Sequence, residues 1–364
     1  MSKERLSDTQ AIGLAAFFLT ASAILTGGGK AAGEDIWISI RLVMAVMVPL
    51  SFVYMRIITM AGDRSFFSFV EKTMGKAIGR ILMVLFVLYS LFLGAVVLRS
   101  FSEFLFIVAL TRTPQYITLI LLGMLCIWAA KSGIMLLARW SRFVYPIVTA
   151  VVIVLAILCI PLVDLNNLRP VLYEGAGPML TGAWNAFTFP MIEASLLLVP
   201  FCRLGKKKNG AKTYIIALVI TSLIIIIINM RNILVLGDAL TKAFYFPSYK
   251  AVGLIKLGRF FDRLEILKGM VYVTGGFMKA CLCLYVASQG VNEMLGIKED
   301  EAGVTAPVGL LMITLAASLF TCYRQLVSWT EGGNGYVAAG ILGVIPVAVW
   351  IVGEVRNKNR LAKD

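Results

Sequence analysis

The sequence predicts an all-α polytopic membrane protein, and three observations carry that reading. Of its 364 residues, 59% are hydrophobic and only 15% charged, with a mean hydropathy of +0.87; soluble domains carry about a quarter charged residues. Apolar runs recur that are long enough to cross the hydrocarbon core, which takes about 20 helical residues. Basic residues gather in the segments between those runs.

Ten helices are expected, near 10–31, 36–60, 79–108, 114–130, 139–162, 180–202, 211–236, 264–290, 304–322 and 333–354. The opening MSKERLSDTQ is polar and the run after it lacks a small-residue cleavage site, so the first segment is expected to stay as a helix. With the N-terminus inside, cytoplasmic segments collect Lys3 and Arg5, then Arg64, Lys72, Lys76 and Arg80, then Lys131, Arg139 and Arg142. Arg203, Lys206, Lys207, Lys208 and Lys212 follow, then Lys298 and the tail from Arg356 to Lys363. The loops GKAAGED (29–35) and VDLNNLRPVLYEGAGP (163–178) are poorer in Lys and Arg. That bias predicts both termini in the cytoplasm. Residues 242–268 are the exception: six basic residues outside, with Val252, Ile255, Phe260 and Phe261 suggesting a short helix in the membrane interface.

Ten spans in one domain, residues 1–364, allow two sets of five, about 10–162 and 180–354. Five is odd, so the halves would be inverted. In transporters so built, the site lies where the first helix of each half is broken. Here those helices are spans 1 and 6.

Several functions are disfavoured. There is no histidine, and the six cysteines lie in or beside apolar segments without C-x-x-C spacing. Zinc, haem, a disulfide framework and cofactors generally find no support. An enzyme is not expected, since no Ser–His or Cys–His pair exists. The formal charge of +14 is explained by cytoplasmic retention of Lys and Arg, without nucleic acid.

Both first helices are unusual. In span 1, Thr20, Ala21 and Ser22 replace bulky residues and Gly27-Gly28-Gly29 follows, which favours a break. Small residues there also suit close packing, and the glycines a plain helix end. Span 6 reads FTFPMIEASLLLVPF (187–201). Pro190 removes a backbone donor, so carbonyls near Asn185–Phe187 should lose partners. Glu193 is costly in lipid unless paired, protonated or hydrated, and such acids usually mark sites. Lys279, mid-span in FMKACLCLYV (277–286), either pairs with Glu193 or faces its own water. Arg99, Glu103 and Arg231 lie nearer helix ends, within snorkelling reach.

Two blocks carry a family resemblance. LRPVLYEGAGPMLTGAWNAFTFPMIEASLLLVPF (168–201) resembles the B subunits of GerA-type spore germinant receptors, with Pro and Gly before span 6 and then Phe-Pro-x-x-Glu. The block 235–267 is similar too: Gly237, then Phe246-Pro247-Ser248-Tyr249 and Arg263-Leu264-Glu265. Ala21-Ser22-Ala23-Ile24-Leu25 departs from the Gly-Thr/Ser-Ser/Ala-Ile-Leu usual in span 1. The resemblance implies the five-plus-five inverted fold of the amino acid–polyamine–organocation (LeuT-like) transporters, with spans 1 and 6 broken. It implies a mid-membrane nutrient site between spans 1, 3, 6 and 8. It also implies A-type and C-type partner subunits and the inner membrane of a bacterial endospore.

Two functions are therefore expected: a nutrient-binding receptor subunit that signals to its partners, or a proton-coupled amino acid transporter. An amino acid would place its carboxylate at exposed amides of span 1 and its ammonium near Pro190 and Glu193. A sugar or nucleoside would use Thr20, Ser22, Tyr89 and Thr188, stacking on Phe187 or Tyr285.

Overall fold

The computed structural model describes residues 5–26, 29–205, 210–255, 264–297 and 302–361; for a few of these, Ser22 among them, only the backbone is described. Among the described residues the chain is helical, with one isolated parallel bridge between Leu6 and Leu204.

The first helix, α1 (Asp8–Thr26), is followed by a 3-10 turn at Lys30–Asp35 and by α2 (Ile36–Ala61). The Ser65 side chain accepts from Ser68 N at 3.0 Å and starts α3 (Phe66–Met74). Then come α4 (Lys76–Val108), α5 (Gln115–Lys131) and α6 (Ile134–Leu158). Span 6 is divided into α7 (Ala176–Thr188), a 3-10 segment at Met191–Leu197 and the short α8 (Leu198–Phe201). Next are α9 (Gly210–Ala243), interrupted at Gly237, α10 (Pro247–Gly253) and α11 (Glu265–Leu295). The chain closes with α12 (Thr305–Ser318), α13 (Tyr323–Glu331), α14 (Gly333–Ala338) and, after a π-helical turn at Ala339–Val344, α15 (Ile345–Leu361).

Among the described residues, seven helices are long and apolar enough to cross a membrane. Thr305–Ser318 and Tyr323–Thr330, bent by 106°, form an eighth candidate, and Gln115–Lys131 is a shorter apolar helix. The helix α1 occupies the middle of the bundle against α6, α9 and α11, with Leu14, Phe17, Phe18 and Leu19 fully buried. Large apolar side chains such as Leu121, Trp128, Phe143 and Ile147 are exposed on the outer helices. In a molecule of this hydropathy that surface is the one lipid covers.

The two ends of the described chain lie at one end of the bundle. Leu6 N donates to Arg203 O at 2.9 Å, and Gly205 N to Leu6 O at 3.0 Å. Arg5 approaches Asp63, and Arg356 donates to Lys72 O at 3.0 Å.

Four expectations need correcting. Span 1 is not broken at Thr20–Ser22, for α1 runs on to Thr26. The hydroxyl of Thr20 meets Tyr145 and Thr221 at 3.1 and 3.4 Å, so the helix has partners there and no proline forces a break. Gly27 and Gly28 lie outside the described residues. Span 9 is one helix but ends early, at Ser318 instead of 322, because the backbone turns extended at Cys322 and Gln325 Oε1 accepts from Thr321 N and Oγ1. Val252 and Ile255 do not face the interface; they pack against Leu155, Cys159 and Leu264, while 256–263, with Phe260 and Phe261, lie outside the described residues. Finally, Arg99 and Glu103 do not snorkel. They are one helical turn apart, 8% and 6% exposed, and ion-paired at 2.9 Å; Arg231 is 4% exposed and is likewise internal.

Candidate functional site

Proline cannot donate to the turn before it, and its ring crowds that turn. Accordingly α7 stops at Thr188, Phe189 is extended (φ −154°, ψ 107°), and Pro190 opens the 3-10 segment. The carbonyl of Asn185 does not lose its partner as expected. It accepts from Phe189 N at 2.9 Å and from Thr188 Oγ1 at 3.4 Å.

The break sets Glu193 inside the bundle, facing α11. Lys279 Nζ donates to Glu193 Oε2 at 2.6 Å, and both side chains are fully buried. The ammonium also lies 4.4 Å from the centre of the Phe189 ring and 5.4 Å from that of Phe18. An aromatic face attracts a cation through its quadrupole. The sequence left open whether Glu193 and Lys279 pair; in this structure they do.

The other expected residues divide. Tyr89, on α4, is buried with its hydroxyl donating to Asn334 Oδ1 at 3.3 Å, near enough to Glu193 to feel its charge. Thr188 and Pro190 sit at the break, Thr188 donating back to Trp184 O at 2.9 Å. Thr20 instead faces α6 and α9. Ala21 packs where Gly275 leaves room on α11. The side chain of Ser22 lies outside the described residues. Phe187 is half-buried against Trp184, with ring centres 6.2 Å apart. Tyr285 is buried six residues beyond Lys279, about 9 Å along the helix axis and on the Arg203 side.

Two neighbours of the pair, and one of Tyr89, were missed. Phe18 and Phe189 reach Lys279 only through the crossing of α1, the break and α11, which no periodicity encodes. Asn334 reaches Tyr89 from the Gly-rich stretch before the last span, where a lone polar residue among glycines is a weak signal.

A lipid-exposed bundle with a broken helix around a buried ion pair defines a multi-pass membrane protein of the permease or receptor-like class. The chain belongs to the spore germination protein family, whose pattern matches residues 5–325. It is 29% identical to Spore germination protein KB of Bacillus subtilis (strain 168), over 99% of this chain and 97% of that one. Spore germination protein A2 of the same organism is 25% identical, over 83% of this chain and 82% of that one.

Among solved structures, the chain resembles MHP1, a nucleobase-cation-symport-1 family transporter in a closed conformation with bromovinylhydantoin bound. The TM-score is 0.69 at 13% identity, covering 94% of this chain and 78% of that one. MhsT in complex with L-phenylalanine matches with a TM-score of 0.64 at 12% identity, covering 94% of this chain and 97% of that one. At such identities the likeness is one of fold, the LeuT-like transporter fold.

Proposed function

We propose that this chain is the nutrient-binding membrane subunit of a spore germination receptor. It takes a small molecule, an amino acid in preference to a sugar or nucleoside, at the break in span 6. It passes the binding event to A-type and C-type subunits in the inner membrane of the endospore, with both termini cytoplasmic. Residues from about 10 to 162 and 180 to 354 act as its two inverted repeats. The role is binding and signalling rather than catalysis.

The observation that carries this reading is the fully buried Glu193–Lys279 pair beside Pro190. A zwitterion has one charge for each member. Its ammonium replaces Lys279 at the Glu193 carboxylate, and its carboxylate replaces Glu193 at the Lys279 ammonium. With α1 continuous to Thr26, Lys279 is the better receiver of that carboxylate than amides of span 1. The exchange trades one internal contact for two to the ligand and uncouples the broken span from α11. Sugars and nucleosides lack the charges to satisfy both members once separated.

A second reading, proton-coupled amino acid transport, draws support from the fold shared with MHP1 and MhsT, the latter holding an amino acid. One experiment separates them. Spores carrying this chain with its partner subunits are given amino acids, sugars and nucleosides singly, and the purified chain in proteoliposomes is tested for uptake of whatever works. Germination by an amino acid without uptake is the expected result. Response to sugars or nucleosides alone would overturn the amino acid assignment, and uptake driven by a proton gradient would favour the transporter.

A further inference from the structure

The motif Phe246-Pro247-Ser248-Tyr249 takes no part at the Glu193–Lys279 pair. Together with Phe104 and Tyr272 it walls a separate pocket beside the last turn of α1, where Ile24 lines it. The rings of Phe104 and Tyr272 are 4.3 Å apart, and Phe246 meets Phe104 edge-on at 5.1 Å. Ser248 shares hydrogen bonds with Asn232 of α9 at 2.9 and 3.2 Å, which ties α10 to the bundle.

Into this aromatic box projects Lys268, from the first turn of α11 and eleven residues before Lys279. That separation is about 16 Å along the helix. Lys268 is 2% exposed, and its Nζ has no hydrogen-bond partner among the described residues. An ammonium carries three donors and is very costly to bury without acceptors. Its charged neighbour makes matters worse. Arg231 is also buried and close enough for its charge to act on Lys268. Its Nη2 donates to Asn232 Oδ1 at 2.7 Å, but Nε and Nη1 have no partner among the described residues. The carboxylates of the adjoining helices are engaged elsewhere: Glu103 of α4 with Arg99, Asp238 of α9 with Lys242 at 2.7 Å, and Glu265, one turn before Lys268, in a contact of its own.

A buried amine at this pocket that only an anion would keep protonated, with a second buried cation nearby on α9, asks for negative charge and not for another side chain. The pocket offers a water-sized sphere about 10 Å³ for its centre, room for about one water molecule. We propose that it is a binding site for a small monovalent anion, a halide or the carboxylate group of a small organic acid, held by Lys268 with Arg231 adding its charge from α9. The site is separate from the central pair and stands whether or not that pair receives a nutrient.

Thermal unfolding of the purified full-length chain tests this in sodium gluconate, chloride, bromide and formate at equal pH and ionic strength. Gluconate is too large for the pocket. The wild type should gain roughly 4 °C, saturably, in at least one of the small anions. Gain in the halides alone identifies an inorganic ion, and gain in formate identifies a carboxylate. Lys268→Met should be at least as stable as wild type in gluconate and should lose the anion response. Arg231→Gln should need at least about tenfold more anion for half the effect. Equal stability of the wild type in all four salts would overturn the proposal. So would a Lys268→Met protein that keeps the response, or one less stable than wild type in gluconate, because the ammonium would then already have its acceptor.

Discussion

Lys279 and Glu193 join an unbroken helix to a broken one: α11 supplies the ammonium, the 3-10 segment after Pro190 supplies the carboxylate, and 2.6 Å separates them. Burying two charges is expensive in any interior and more so at membrane depth. Their mutual attraction, with the Phe18 and Phe189 rings about the cation, offsets that cost only while both partners are present. The pair is thus a contact whose value depends on neither member leaving alone.

That dependence gives the first prediction. Glu193→Gln keeps size and hydrogen bonding but strands the lysine, and should destabilise the chain by about 3 kcal/mol, as loss of one buried partner does. Adding Lys279→Met removes the stranded charge and should restore most of the protein level. Nutrient response should stay lost in both. Immunoblots of spore membranes beside germination dose–response curves make the check. A Glu193→Gln protein at normal level with unchanged sensitivity would end the site assignment.

Pro190→Ala acts on the backbone instead. It returns an N–H to the turn and removes the ring that crowds it, so α7 can run on toward Leu197. A continuous helix would turn Glu193 away from Lys279. The expected outcome is a protein that still inserts, less stable because the buried pair is parted, whose nutrient requirement rises at least about tenfold, a loss of 1.4 kcal/mol in coupling. An unchanged dose–response curve would mean that the break is incidental to response.

Much of this was legible in the sequence, for identifiable reasons. The Phe-Pro-x-x-Glu break follows from proline chemistry alone, and Glu193 and Lys279 stood out because ionisable residues are rare at membrane depth. Arg99 and Glu103 could have been read as a pair, since residues four apart share a helix face. Other features depend on what lies across the bundle. The continuity of α1 at Thr20 rests on hydroxyls from α6 and α9, 125 and 201 residues away. The bend after Ser318 rests on a glutamine closing the next turn. The aromatic box around Lys268 is assembled from α4, α10 and α11, so a motif visible at Phe246–Tyr249 gave no hint of what it encloses.

Cation coupling follows from charge balance at the break. The Glu193 carboxylate is already matched by the Lys279 ammonium, which leaves no net negative charge there for sodium. Ligand binding should therefore be the same in sodium and in choline at constant pH and ionic strength. If uptake occurs, it should follow the proton gradient. A sodium-dependent affinity, read by titration of the purified protein, would count against the charge assignment.

The shared end of the bundle bears on topology. Leu6 is bridged to Leu204, so the N-terminal segment and the basic loop after span 6 share one side. We propose from the Lys and Arg bias that this side is the cytoplasmic one. A cysteine at Asn209 should resist impermeant maleimide on intact cells and react in inverted vesicles. Labelling from outside would reverse the orientation for both segments together.

The last prediction concerns how the turn after α1 is seated on the broken span. Gly29 has φ 95°, and a Cβ there would lie 2.8 Å from Gly182 O. A Cβ on Gly182 would overlap that of Ala32 and sit 2.8 Å from the Ala32 amide nitrogen. Backbone, unlike a side-chain tip, has no rotamer by which to yield. Gly182→Ala must therefore lift α7 off the Lys30–Asp35 turn, at a cost of about 1–3 kcal/mol for overpacking. Because α7 carries Phe189 to the Lys279 ammonium, the shift should also blunt nutrient response. Gly177→Ala in the same helix is the control, since nothing lies within 4 Å of its added Cβ. It should stay within about 1 kcal/mol of wild type, on the stabilising side, as alanine favours helix. Thermal unfolding of the two variants decides the matter: equal midpoints would show that the α7 contact is loose and carries nothing to the site.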